Sequence, residues 1–266
     1  CQELVRHNNL DDKVKVVQGR VEDVSLGKGV KVDVIISEWM GFYLLHESML
    51  GSVVAARDRW LKPDGIILPS TAALYLCPVS MKQHHKDTFQ YWQDVYGFDF
   101  SPVLPAVRAK QLSQPLITEL KADQCVAVPE LVTHLDLLYV GMDELENITS
   151  SLTFSCTKND ILHGFACWFD VEFEGSSPVR LDTGPEGEPT HWKQTVVLLP
   201  YPLLVCKEEQ VACTLSMIRS SENPRWYNIS IELPEDDSEE SDEGEVTENL
   251  CVDEDTVKTL LLNAMD

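Results

Sequence analysis

The sequence predicts the second half of a doubly wound α/β sheet followed by a mostly antiparallel β-barrel or sandwich, and three observations lead there. Residues 1–70 read strand, loop, strand, helix, strand, the order of a βαβ half-sheet. After Pro69 the texture changes to short β-like runs separated by turn residues, with few good helical stretches. From about Glu235 the chain is a charged run with too little apolar surface to order itself.

Each element has its own warrant. Residues 1–9 carry the end of a helix, closed by Asn8-Asn9. Val14-Lys15-Val16-Val17 is a short strand and Gln18 to Asp23 a loop. Val32-Asp33-Val34-Ile35-Ile36 is nearly continuous in apolar residues, as a strand covered on both faces is. A helical pattern over residues 47–61 stops before Pro63-Asp64-Gly65, and Ile66-Ile67-Leu68 is the next strand. Further strands follow at Ala72 to Val79, Leu152 to Cys156, Gly164 to Val171 and Gln194 to Leu199. An irregular stretch, Tyr91 to Pro129, interrupts them with Trp92, Tyr96-Gly97-Phe98-Asp99-Phe100 and several prolines. Val257 to Met265 can form a short amphipathic helix, although an unstructured extension fits the composition better. Ser238 and Ser241 are accessible in an acidic context.

Composition narrows the function. The formal net charge is −23, of which twelve negative charges fall between Glu235 and Asp255, leaving −11 on residues 1–234. An acidic body repels nucleic-acid backbones and attracts basic polypeptides. No apolar stretch approaches the length that crosses a bilayer, and Cys1 to His7 is too polar for a signal peptide. Eight cysteines are scattered without C-x-x-C spacing, several in apolar strands, which favours buried free thiols over disulfides or zinc. With no export signal, the sequons at Asn147 and Asn228 read as coincidence, and the expected location is nucleus or cytoplasm.

The most informative stretch is Ser37-Glu38-Trp39-Met40-Gly41-Phe42-Tyr43-Leu44-Leu45-His46-Glu47-Ser48-Met49. It hangs from the carboxyl end of a strand, where open α/β sheets bind ligands. Two glutamates nine residues apart on a loop are ordinarily just solvated. Held face to face, however, two carboxylates make a fork that suits a planar guanidinium and suits an ammonium poorly.

The length of this match resembles the double-glutamate loop of protein arginine methyltransferases. The resemblance implies that Glu38 and Glu47 clamp the acceptor guanidinium, with Trp39 and Met49 beside it. Met49 falls where the asymmetric-dimethylating, type I branch carries a methionine. Thr190-His191-Trp192-Lys193-Gln194-Thr195 resembles the loop with which the barrel closes that site, so His191 would hold or pass a proton and Trp192 would wall the arginine channel. Val21-Glu22-Asp23 lies where the family contacts the adenine of S-adenosylmethionine, Glu22 accepting from the exocyclic amine beside the Val21 backbone.

The architecture so implied is a partial Rossmann-like methyltransferase domain at 1–70 and a β-barrel substrate domain at 71–233. A dimerisation arm projects at about 91–125, and an acidic tail occupies 234–266. Trp92, Tyr96 and Phe98 serve equally well as arm or as barrel core at this stage. The resemblance implies S-adenosylmethionine as cofactor, arginine-rich proteins such as histone tails or RNA-binding proteins as substrates, and a homodimer. Leu44 to Met49 and His163-Gly164-Phe165-Ala166 look most like the branches called arginine methyltransferase 6 and 2. No Gly-x-Gly-x-x-Gly occurs. The family's glycine loop and ribose-binding acid precede the equivalent of Cys1, so an N-terminally incomplete sequence is expected. The 266-residue chain by itself is expected neither to bind the cofactor nor to methylate. The competing expectation is a non-catalytic interaction or dimerisation module.

Overall fold

The computed structural model describes residues 1–234. The expected acidic tail, with Ser238, Ser241 and the helix at Val257 to Met265, lies outside them. Helix α1 (Gln2–His7) is closed by Asn8, whose amide donates to Leu4 O at 2.8 Å. Val14 to Val17 is irregular rather than a strand, because no backbone ladder pairs with it among the described residues. Strand β1 (Val32–Ile36), helix α2 (Leu50–Trp60) and strand β2 (Leu61–Leu68) form the start of the fold, in which β1 and β2 pair in parallel. The β2 strand begins at Leu61, but its pairing with β1 is broken over Lys62 to Gly65 and becomes regular at Ile66-Ile67-Leu68, the strand expected. One expectation fails more instructively: β1 is not buried. Val34 is 43% and Ile36 76% exposed, since β1 has β2 as its single ladder partner.

The antiparallel body is present as expected. A six-stranded sheet is built on β3 (Thr71–Val79), β4 (Leu116–Thr118), β5 (Glu130–Asp136), β7 (Asp160–Phe173), β8 (Val179–Asp182) and β9 (Gln194–Val205). Its order is β4-β9-β7-β3-β5, with β8 also on β7. A second sheet, β11-β10-β6, comprises β6 (Asn147–Ser155), β10 (Gln210–Arg219) and β11 (Tyr227–Glu232). Each residue of β7 from Asp160 to Val171 is buried, whichever face it points to. Phe154, Phe165 and Phe169 fill the space between the sheets with Leu74, Leu76 and Leu135.

Between β3 and β4 the chain leaves the body through α3 (Lys82–Thr88) and α4 (Leu104–Leu112). Its connection carries Tyr96 at 95% and Phe98 at 70% exposure. These two aromatics are therefore not barrel core; they project on an excursion, as an arm does. The base of this excursion is anchored by Arg108, which lies over the rings of Phe89 and Tyr201 and donates to Pro200 O at 2.8 Å.

The two regions are tied together. Leu44, Leu45, Leu50, Val53 and Val54 belong to the same core cluster as Phe154 and Phe165. Arg57 of α2 donates to Leu137 O at 3.0 Å and to Val140 O at 2.8 Å. The cysteines partly match expectation. Cys77, Cys156, Cys167 and Cys213 are buried thiols, but Cys1 is exposed and Cys206 is disulfide-bonded.

Candidate active site

The loop after β1 leaves the sheet by continuing its ladder for one residue, Ser37 N–H donating to Leu68 O at 3.1 Å. It then turns back sharply. Gly41 N–H donates to Leu44 O at 2.9 Å, and a Cβ at Gly41 would lie 2.1 Å from His46 O, so only glycine fits. Four non-glycine residues in this loop, Tyr43, Leu44, Glu47 and Ser48, have φ between 43° and 71°. Such a run costs on the order of 1–3 kcal/mol per residue and persists only where the surroundings impose it. Here Trp39, Leu44 and Leu45 are driven into the core, and the Tyr43 hydroxyl lies 3.0 Å from His46 Nδ1. Burial pushes the Tyr43 phenol up to about 12, so it stays a neutral hydroxyl.

The two glutamates stand at the ends of this loop, and both are exposed. Glu47 is already engaged: Arg225 Nη2 is 3.1 Å from Glu47 Oε2. Two residues after Arg225, the Tyr227 phenol donates to Leu145 O at 2.7 Å. Met49 is 43% exposed and caps α2, whereas Trp39 is 2% exposed with its indole N–H buried and unpartnered. Trp39 thus supports the loop from beneath, and its expected place beside an acceptor is not an open surface.

The loop 190–193 comes to the same place from the body. Lys193 turns back with φ 51° and donates to Thr190 O at 3.2 Å. Gln194 fixes the exit: it accepts from Leu120 N–H and donates to Thr183 O, both at 2.7 Å. Trp192 Nε1 then donates to Met40 O at 2.9 Å, a bond across 152 residues of sequence. The edge of Phe169 meets the Trp192 ring at 5.5 Å. His191 is exposed and stacks on Trp192 at 3.9 Å between centroids. The two segments picked out in the sequence therefore touch.

Glu22 sits on the other side of α2. Ser52 Oγ donates to Glu22 Oε1 at 2.5 Å, and Arg20 Nε is 3.4 Å from Oε2. The Ser52 hydroxyl is the largest of the effects that hold this carboxyl below the ordinary glutamate range. Arg59 donates to the Val21 and Glu22 carbonyls. An ionised acceptor steadied by a helix fits the exocyclic amine of an adenine, so the residues present suit the cofactor that the sequence implies.

Sequence reasoning missed Arg225, Tyr227 and Ser52. Arg225 and Tyr227 follow Asn223-Pro224, which reads as a turn and nothing more, and Ser52 reads as a helix residue. No signal in the sequence marks any of them.

Residues 70–238 match the family described as the arginine methyltransferase oligomerization subdomain. The probable protein arginine N-methyltransferase 6.1 of Oryza sativa subsp. indica is 40% identical over 258 residues, which cover 87% of this chain and 68% of the rice protein. The probable protein arginine N-methyltransferase 6 of Arabidopsis thaliana is 38% identical, covering 87% of this chain and 61% of its own length. The Trypanosoma brucei PRMT1 enzyme–prozyme heterotetrameric complex with AdoHcy superposes with a TM-score of 0.77 at 33% identity, over 87% of this chain and 71% of that one. The proteins that this fold and loop pair resemble are methyltransferases, one of them solved with AdoHcy. More particularly, the chain belongs to the protein arginine methyltransferase family. It spans about two thirds of the length of these plant relatives.

Proposed function

We propose that the protein transfers methyl groups from S-adenosylmethionine to the guanidinium nitrogens of protein arginine, as a type I enzyme giving asymmetric dimethylarginine. The observation that carries the reading is that Glu47, at the end of a loop built on positive φ angles, accepts a guanidinium in this fold. Arginine, with a side-chain pKa above 12, offers almost no neutral nucleophile at neutral pH. Glu38 and Glu47 would therefore hold the cation between them and leave one nitrogen free to face the donor. The bound cofactor supplies the electrophilic methyl, and Val21 and Glu22 would hold its adenine. His191, stacked on Trp192, would hold or pass the proton that leaves the methylated nitrogen. Trp39 and Met49 would support the acceptor side of the pocket, and Trp192 its barrel side.

The wider reading follows the same lines. Residues 1–70 act as the acceptor-side part of a Rossmann-like domain, residues 71–233 as the barrel, and 234–266 as an acidic tail. The exposed Tyr96 and Phe98 support an arm at about 91–125 that pairs two copies, and the matched family is itself described as an oligomerization subdomain. The acidic body supports arginine-rich protein substrates, histone tails or RNA-binding proteins, in nucleus or cytoplasm.

The test is Glu47→Gln in the natural gene product. Once a bound acceptor covers Glu47, removing its charge from the buried pair costs about 2–5 kcal/mol. Felt in the transition state, that lowers turnover on an arginine peptide by tens to thousands of fold. Calorimetric binding of S-adenosylhomocysteine should change little, because other residues hold the nucleoside. Turnover near the wild-type rate overturns the reading.

A further inference from the structure

The Glu47 carboxylate is engaged before any acceptor arrives, by a guanidinium that the chain itself supplies. Arg225 sits in the connection between β10 and β11, and that connection is a built turn rather than a loose tip. Ser220 Oγ accepts from the N–H groups of Glu222 and Asn223, both at 3.3 Å. Asn223 Oδ1 accepts from Arg225 N–H at 3.1 Å, and Trp226 N–H donates to Asn223 O at 2.9 Å. Arg219 closes the turn by donating to Pro224 O at 2.8 Å. Two residues further on, Tyr227 donates to Leu145 O at 2.7 Å and so fixes the start of β11. The backbone of the 225–227 segment is thus held beside the loop, where Arg225 meets Glu47.

The grip on Glu47 is weak by design of its surroundings. The side chains of Arg225 and Glu47 are 61% and 55% exposed, and they meet through Nη2 and Oε2 at 3.1 Å. Exposed ion pairs are worth little, whereas a guanidinium that meets both oxygens of a carboxylate side-on makes the stronger, two-bond arrangement. A groove of ≈ 630 Å³ lies next to the pair, walled by Phe42, Tyr43 and His46 from the loop, by Trp226 just before β11 and by Tyr227 at its start. Its lining includes His46 and Trp226, the chain neighbours of Glu47 and Arg225, so an acceptor chain lying in it would pass close to the pair.

We propose that Arg225 is a specificity-determining residue: its guanidinium competes with the acceptor arginine for Glu47, and only an acceptor that engages the carboxylate with two bonds displaces it. This rests on the reading of Glu47 as an acceptor carboxylate. The experiment is steady-state methylation of an arginine-containing peptide by the natural gene product and by its Arg225→Ala and Arg225→Lys variants, with guanidinium ion as a competitive probe. In R225A the KM for peptide should fall about two- to five-fold, the most that an exposed pair can withhold. The inhibition constant for guanidinium should fall in parallel, and kcat/KM should rise by the same factor. R225K, which keeps the charge without the fork, should lie between. A fall in kcat with KM unchanged, or no change in either constant, overturns the competition. Glu47→Gln measured alongside separates the two claims. Retained turnover in E47Q removes the reading of Glu47 itself, whereas lost turnover in E47Q with an unmoved KM in R225A removes the competition alone.

Discussion

Strands β1 and β7 are both runs of apolar residues, and the fold treats them oppositely. Val32-Asp33-Val34-Ile35-Ile36 leaves Ile36 76% exposed, while β7 is buried from Asp160 to Val171. The difference is in neighbours. Strand β7 is paired by β3, β8 and β9 and packed against the second sheet, whereas β1 has β2 alone. A continuous apolar run states what a strand would gain from cover; it does not state that cover is supplied. The site sits where these two situations meet, since the acceptor loop leaves β1 and buries Leu44 and Leu45 in the body.

The contrast is broken most directly by truncating one residue in each region. Phe165→Ala, in the fully buried centre of β7, should cost about 3–5 kcal/mol in urea unfolding. Ile36→Ala should stay within about 0.5 kcal/mol, as exposed substitutions do. Comparable losses at the two positions would mean that Ile36 is covered in solution and that the two regions do not differ in this way.

The body also sets the acid limit. His163 is buried on β7, its Nδ1 3.1 Å from the Met81 N–H and 3.0 Å from Ile161 O. Burial, with His85 close by, pushes its pKa down to about 4 from an ordinary 6.5; Asp160 opposes that shift and Lys82 adds to it. The folded value lies below the unfolded one, so the unfolded chain takes up a proton first. The stability present above about pH 6.5 is therefore lost as pH falls towards 4, and the loss amounts to about 3 kcal/mol. His163→Asn should flatten the fall in unfolding free energy between pH 7 and pH 4.5 by about that much. An unchanged slope would place the acid sensitivity elsewhere, Asp160 being the nearest alternative because its carboxyl is held below the ordinary range by Lys82, Ile161 N–H and Ser80.

Most strands after Pro69 were legible because period, turn residues and β-branched runs are local properties. The meeting of the Ser37-to-Met49 loop with the Thr190-His191-Trp192 segment was legible for another reason: long motif matches carry geometry that local rules do not. Val14 to Val17 was misread because pairing, not composition, makes a strand. The burial of Trp39 and the partnership of Glu47 with Arg225 were illegible in principle. Each depends on which distant segment the fold brings up, and Asn223-Pro224-Arg225-Trp226 announces a turn without announcing what it faces. The exposure of Tyr96 and Phe98 resolved an ambiguity that aromatic residues in an irregular stretch always leave.

The smallest effect tests the seam between the two regions. Trp192→Phe keeps an aromatic ring on the edge of Phe169 and removes only the N–H that reaches Met40 O. A part-buried neutral hydrogen bond contributes about 0.5–1.5 kcal/mol, so global stability should drop by about 1 kcal/mol or less. The local consequence should be larger. Met40 lies next to Gly41, where the acceptor loop has no slack: its backbone comes too close to His46 O for any side chain. Freeing the Met40 carbonyl should let the loop open without unfolding the body. Amide hydrogen exchange at Gly41 to Glu47 should quicken several-fold in the variant while β7 amides keep their protection. Equal quickening in both places would show that the bond supports the body as a whole. No change in either would show that the hydrophobic burial of Leu44 and Leu45 holds the loop unaided.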